Sequence, residues 1–229
     1  MTIVAIVYSS GQGHTRTVAE HVRRGSEMIE GTYAELIEII PAQIDNAGRW
    51  RDDEIMKRLL AADAIVFGAP TYMGSAHGLF KLFLEAGIVP WRSQEWKDKI
   101  AAGFTNSGSR SGDKLVTLQQ MSIFAAQMGM MWVSAGDLPG GCYTDGGFTD
   151  VNVNGSWLGL MTQSLNDSPL ENAPHPGDRL SAERFGRRVA RATARWAVGA
   201  DRFPPQRIDA QENRRRNLAG IDEWQRFDD

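Results

Sequence analysis

The pattern that most constrains this 229-residue chain is an alternation, in which apolar runs at 3–8, 33–39, 64–68, 100–105 and 130–134 are separated by stretches of helical periodicity. Strands that alternate with helices build a parallel sheet, because each return to the same sheet edge needs a crossover long enough to hold a helix. Two of the runs, Ile3-Val4-Ala5-Ile6-Val7 and Ala64-Ile65-Val66-Phe67, are apolar at every position. Such runs are buried on both faces, so helices are expected on both sides of the sheet, with these two strands as neighbours near its centre.

Between the runs, Val18, Val22, Gly25 and Ile29 recur at spacings of four, three and four and place a first helix from about His14. A second is expected over about 53–61, a third with Leu79, Phe80, Phe83 and Leu84, and a fourth with Leu115, Leu118, Met121, Ala125 and Met128. The last carries Ala182, Phe185, Val189, Ala192 and Trp196, with Ser181 as its expected N-cap. Periodicity lapses between 136 and 178, where Gly, Asn, Asp and Pro dominate and one short strand is expected around 158–163. Excursions of this length in a compact domain are usually functional or engaged in subunit contact. Residues 1–199 therefore read as one domain, with 136–178 as a long excursion around its fifth strand. Residues 200–229 are rich in Pro and charge and too poor in apolar side chains to form a core. They read as a tail packing on the domain or on a neighbouring subunit, anchored by Ile221, Trp224 and Phe227.

Composition excludes several classes. Cys142 is the only cysteine, so there is no intramolecular disulfide, no CxxC redox pair and no thiolate metal cage. Redox chemistry would need a cofactor. A net charge of -3 argues against a broad electropositive surface, so no nucleic-acid partner is expected. No apolar run reaches eighteen residues, and the run at 3–8 is too short and lacks the basic flank of a signal peptide, so neither membrane insertion nor export is expected and the location reads as cytoplasmic. His14, His21, His77 and His175 form no ligand pair, and no metal is expected.

The chemistry concentrates in Tyr8-Ser9-Ser10-Gly11-Gln12-Gly13-His14-Thr15, which leaves a buried strand and enters a helix. In a parallel sheet that junction lies at the edge where ligands bind. The two glycines let the backbone turn its N–H groups inward, Ser10 and Thr15 add hydroxyls, and the helix tip adds positive potential, which together make a phosphate pocket. An ATP-type loop requires Gly-Lys-Ser/Thr, and His14 follows Gly13 here. A dinucleotide loop would place its third glycine at Arg16, although Glu38 stands near the position of a ribose-binding acid. A monophosphate loop, needing only clustered amides and hydroxyls, fits best.

Tyr-Ser-Ser-x-x-Gly-x-Thr resembles the FMN phosphate loop of flavodoxins. Ala64-Ile65-Val66-Phe67-Gly68-Ala69-Pro70-Thr71-Tyr72-Met73-Gly74, Phe83-Leu84-Glu85, Trp91 and the stretch from Phe104 to Gly112 resemble the tryptophan-repressor-binding-protein type of NAD(P)H:quinone oxidoreductases. The likeness runs from residue 1 to about 199. It implies a flavodoxin-like α/β three-layer sandwich with a five-stranded parallel sheet in the order 2-1-3-4-5. It implies FMN, with Ser10, Gly11, Gln12, Gly13, His14 and Thr15 at the phosphate and Pro70, Thr71, Tyr72, Met73 and Gly74 against the ring. Asn106, Ser107, Gly108, Ser109, Arg110 and Ser111 would wrap its other edge, and Gln127 would lie over the flavin where the family has histidine. Gln12 replaces a frequent aromatic, and Arg110 a small residue, beside the ring.

The implied activity is two-electron, ping-pong transfer from NADH or NADPH to a quinone. The chemistry lies on flavin N5 with no catalytic side chain, and Gln12, Tyr72 and Trp91 form the substrate walls. The assembly would be a homo-oligomer, dimer or tetramer. A one-electron carrier, a flavin reductase and a regulatory or scaffold protein holding FMN without turnover are the alternatives. Arg184, Arg188, Arg191 and Arg195 read as a solvated helix face, with an anion or the 2′-phosphate of NADPH as the other possibility.

Overall fold

In the computed structural model, which describes residues 1–199, the elements follow as β1 (Thr2–Tyr8), α1 (His14–Glu27), β2 (Thr32–Glu38), α2 (Asp53–Ala61), β3 (Ala64–Tyr72) and β4 (Ser75–Ala76). Then come α3 (Gly78–Ala86), α4 (Ile88–Arg92), β5 (Ile100–Ser107), α5 (Lys114–Gln127), β6 (Met131–Trp132), β7 (Leu160–Gln163) and α6 (Pro176–Ala197). The tail anchors expected at Ile221, Trp224 and Phe227 lie outside the described residues.

The sheet runs β2-β1-β3-β5, all parallel, and two short strands share its fifth position. β6 pairs with Ile100 and Ala101 at the start of β5, and β7 pairs with 104–107 at its end, both parallel. β4 is a hairpin arm folded back on Thr71 and Tyr72. Leaving out the arm β4, counting the shared position once and numbering the five parallel strands in chain order, the sheet reads 2-1-3-4-5, that of a flavodoxin-like fold.

The continuous apolar runs have the cause expected of them. Val4, Ile6 and Tyr8 of β1 pack with Val18 and Val22 of α1 and Phe185 and Val189 of α6. Ala5 and Val7, pointing the other way, join Leu59 of α2, Phe80 and Phe83 of α3 and Met121 of α5. Successive strand side chains alternate between faces, so a strand with two covered faces has no polar position to spare. Pro70 is tolerated inside β3 because the β1 pairing ends at Gly68, which leaves no ladder partner there waiting for its missing N–H.

Three expectations are corrected. The fifth strand is not a single segment at 130–134; only Met131 and Trp132 pair before the excursion departs, and pairing resumes at Leu160. Ser181 is not an N-cap. α6 starts five residues earlier at Pro176, where a missing N–H costs nothing, and the Ser181 hydroxyl donates to Gly177 O at 2.7 Å and accepts from Asn152 N at 2.8 Å. Leu115 is half exposed, because Lys114 and Thr117 take the inward places in the first turn of α5. Periodicity misread both helices where polar residues turn inward.

Candidate functional site

The C-terminal ends of β1, β3 and β5 deliver three loops to one edge of the sheet. The first, 10–15, is organised by Ser10, whose Oγ accepts from Gly13 N at 3.1 Å and Arg16 N at 3.3 Å. Among the described residues the amides of Gly11, Gln12, His14 and Thr15 have no hydrogen-bond partner; those of His14 and Thr15 are open because they begin a helix, and those of Gly11 and Gln12 lie in the bend before it. These open donors, at the positive end of a 14-residue helix, suit a phosphoryl group. Gly13 has φ of 93° and a Cβ there would lie 2.9 Å from Leu170; a Cβ at Gly11 would lie 2.3 Å from the Tyr72 hydroxyl oxygen. The cradle has room for backbone alone. Glu38, the candidate ribose acid, is instead held by Arg16 Nη2 at 2.7 and 2.8 Å, which removes the support for a dinucleotide loop.

The second loop is the tight hairpin between β3 and β4. Met73 and Gly74 both have positive φ, of 50° and 76°, and Met73 is fully exposed at the tip. Gln120 pins the returning arm through Ser75 Oγ (Nε2 donating, 3.0 Å) and Ala76 N (Oε1 accepting, 3.3 Å). The Tyr72 ring leans on Gly11 of the 10–15 loop and meets His77 edge-on at 5.2 Å. Burial depresses the His77 pKa, so at neutral pH the ring is uncharged beside Ser9 Oγ at 3.2 Å. Thr71, expected against the cofactor ring, turns inward; its hydroxyl lies 2.7 Å from both Thr105 Oγ1 and Thr117 Oγ1.

The third loop, 106–111, is braced from behind. Asn106 Oδ1 accepts from Thr162 Oγ1 at 2.8 Å and Ser164 Oγ at 3.0 Å, and Gln163 Nε2 donates to Gly108 O at 2.8 Å. Fully buried Lys114 donates to Ser109 O at 2.9 Å and Thr162 O at 3.0 Å. Arg110 is exposed and places its guanidinium 4.4 Å from the centroid of Phe148, which in turn stacks on His175.

The excursion closes over two of these loops. His14 Nε2 lies 3.0 Å from Ser168 O, Leu170 packs on Gly13, and Asn166 approaches Gly108. None of Asn166, Ser168, Leu170, His77, Lys114 or Phe148 was singled out as a site residue by sequence. The expectation that so long an excursion is functional was the only signal pointing to four of them.

Two expected site residues stand elsewhere. Gln127 ends α5, thirteen residues past Lys114 and so about 20 Å along the axis at 1.5 Å per residue. That places it at the opposite sheet edge, where Asp98 N donates to Gly129 O and Met131 pairs with Ile100. Trp91 on α4 joins Gln127 in lining a cleft of about 400 Å³ between α3, α4 and α5. Within one chain neither reaches the three loops, because both α3 and α5 run away from the loop edge. The arginine stripe also leads away from it: Arg184 pairs with Asp137 at 2.8 Å, Arg188 Nε donates to Ser134 O at 2.9 Å, and the stripe ends beside Trp196, bonded to Asp98 O.

A doubly covered parallel sheet with an open-amide loop at the tip of α1 defines a flavodoxin-like protein. More narrowly, the chain belongs to the NADPH-dependent FMN reductase family, which it matches over residues 1–144. It is 38% identical over 191 residues to Flavodoxin FldP of Pseudomonas aeruginosa, across 83% of this chain and 96% of that protein. It is 30% identical over 210 residues to an NAD(P)H dehydrogenase (quinone) of Geotalea uraniireducens, across 85% of this chain and 98% of the other. The solved structure of a flavodoxin, WrbA-like protein from Agrobacterium tumefaciens is 36% identical, with a TM-score of 0.61, covering 85% of this chain and 99% of that one. Among the described residues no helix is long and apolar enough to cross a membrane.

Proposed function

We propose that the protein binds FMN at the three loops and transfers two electrons from NADH or NADPH to a quinone, each substrate using the same face in turn. The observation that carries this is the set of unpartnered amides at the tip of α1, facing a cradle that Tyr72 and Leu170 close. FMN would supply the redox chemistry, a ring able to accept hydride and return electrons. The chain holds and orients it. Residues 10–15 grip the phosphate without a lysine. Pro70, Tyr72, Met73 and Gly74 border the ring, and 106–111 wrap the far edge with the Arg110 charge beside it. Gln12 and Tyr72 wall the substrate position, and 166–170 keep water from the phosphate. A planar aromatic wall suits flat substrates of either kind. Trp91 and Gln127 enter this reading only through a neighbouring copy, which is one reason to propose a homo-oligomer; the proposed location is cytoplasmic.

Steady-state kinetics with NADH and a soluble benzoquinone test the reading. Parallel double-reciprocal lines are the expected result, and intersecting lines contradict a shared site. A second reading, a one-electron carrier, is favoured by the flavodoxin name of the 38% identical relative. Anaerobic mixing of the FMN-loaded protein with NADH separates the two. Rapid bleaching by two electrons supports the reductase, whereas no reduction by NADH together with a persistent one-electron state under dithionite supports the carrier.

A further inference from the structure

Lys114 is a lysine with no exposed surface, yet it belongs to neither the hydrophobic core nor the phosphate cradle. Taking an ammonium out of water is costly, and an apolar side chain of like size would usually serve stability as well or better. Its bonds show what the charge holds: Ser109 O at 2.9 Å from the 106–111 loop and Thr162 O at 3.0 Å from β7. Among the described residues the acid that acts on it is Asp178 in the first turn of α6, itself 1% exposed. Asp178 accepts from Gln163 N at 2.7 Å, one residue beyond Thr162, and from Asn154 Nδ2 of the excursion at 3.0 Å. His175, the residue before α6, is the other titratable group close enough to act on Asp178. Loop, fifth strand, excursion and last helix are therefore tied to two buried charges that bond to adjacent residues of β7, Lys114 to Thr162 and Asp178 to Gln163. Burial lowers the Lys114 pKa to about 8 and raises that of Asp178 to about 6, which leaves both ionised between those values.

We propose that Lys114, with Asp178 as its counter-charge, is a positioning residue that sets the 106–111 loop in the shape that receives the flavin ring edge. This rests on the FMN reading. The lysine acts on the ring half of the site, at the opposite side from the phosphate loop, and touches no phosphate donor.

The test is titration of apoprotein with FMN and with riboflavin, which lacks the phosphate, followed by flavin fluorescence. Lys114→Met is expected to weaken both ligands by the same factor, tenfold or more, and to alter the visible band shape of bound flavin. Ser10→Ala is expected to weaken FMN while leaving riboflavin unchanged. Asp178→Asn, which keeps an amide in place of the carboxylate, is expected to weaken both ligands by a smaller common factor, which keeps the idea testable if Lys114→Met does not fold. Lys114→Met binding both ligands as tightly as wild type, or losing FMN alone, overturns the proposal while leaving the FMN reading standing. A wild-type protein that takes up neither ligand overturns that reading instead.

Discussion

At the scale of single residues, the site depends on positions where a side chain is missing or turned inward. Gly13 combines a φ of 93° with 2.9 Å between a Cβ there and Leu170. Gly13→Ala is expected to cost about 1–2 kcal/mol in chemical denaturation from the left-handed backbone alone. It should also weaken FMN binding by an order of magnitude in a fluorescence titration. Asp178 and Lys114 give a pH signature. The folded Asp178 pKa of about 6 lies above its ordinary value of 3.8, so the folded chain holds more protons than the unfolded one between them. Its contribution is fully present below about 4 and is lost as pH rises through 6. Lys114 is depressed from 10.5 to about 8, so its contribution rises with pH across that interval. Melting temperatures recorded from pH 4 to 10 should show both slopes, and Asp178→Asn should flatten the acid one. The tight bend at residues 10–15 was legible because the freedom of its glycines is local. The inward turn of the Thr71 hydroxyl was not, because its partners Thr105 and Thr117 are remote in sequence.

At the scale of elements, α1 and α6 form the most extensively packed pair, and they meet through glycine. A Cβ at Gly186 would lie 2.0 Å from Val22 O, and one at Gly25 1.9 Å from Glu183 O, backbone atoms that no rotamer change can move. Gly186→Ala is expected to lower stability by about 3 kcal/mol or more, because overpacking here must separate two helices. Urea unfolding measures it. Gly25 appeared in the sequence as a member of the apolar face of α1. That it marks a close helix crossing could not be seen, since its partner Glu183 lies in the last helix, far away in sequence. The start of α6 was missed for a related reason: Gly177 and Asp178 are buried but carry no apolar signal. Asp178 faces inward only because Gln163 and Asn154 are waiting for it.

At the scale of the whole molecule, the excursion converts an open sheet edge into a covered site. Leu170→Ala removes the side chain that seats on the phosphate loop; it should raise the FMN dissociation constant several-fold and leave the apoprotein melting temperature within a degree or two. Gln127→Ala, at the far end of α5, should leave FMN affinity unchanged when titrated at a dilution where light scattering reports monomer. The sequence by itself determined the doubly covered parallel sheet, its central strands and the glycine-rich bend between β1 and α1, because burial on two faces and the conformational freedom of glycine are properties of contiguous residues. Only the tertiary structure decided that the fifth strand is divided, that the excursion covers the 10–15 and 106–111 loops, that Gln127 and Trp91 lie at the other edge, and that Lys114 is buried. Each of these depends on which distant segments meet, and no short-range pattern records such meetings.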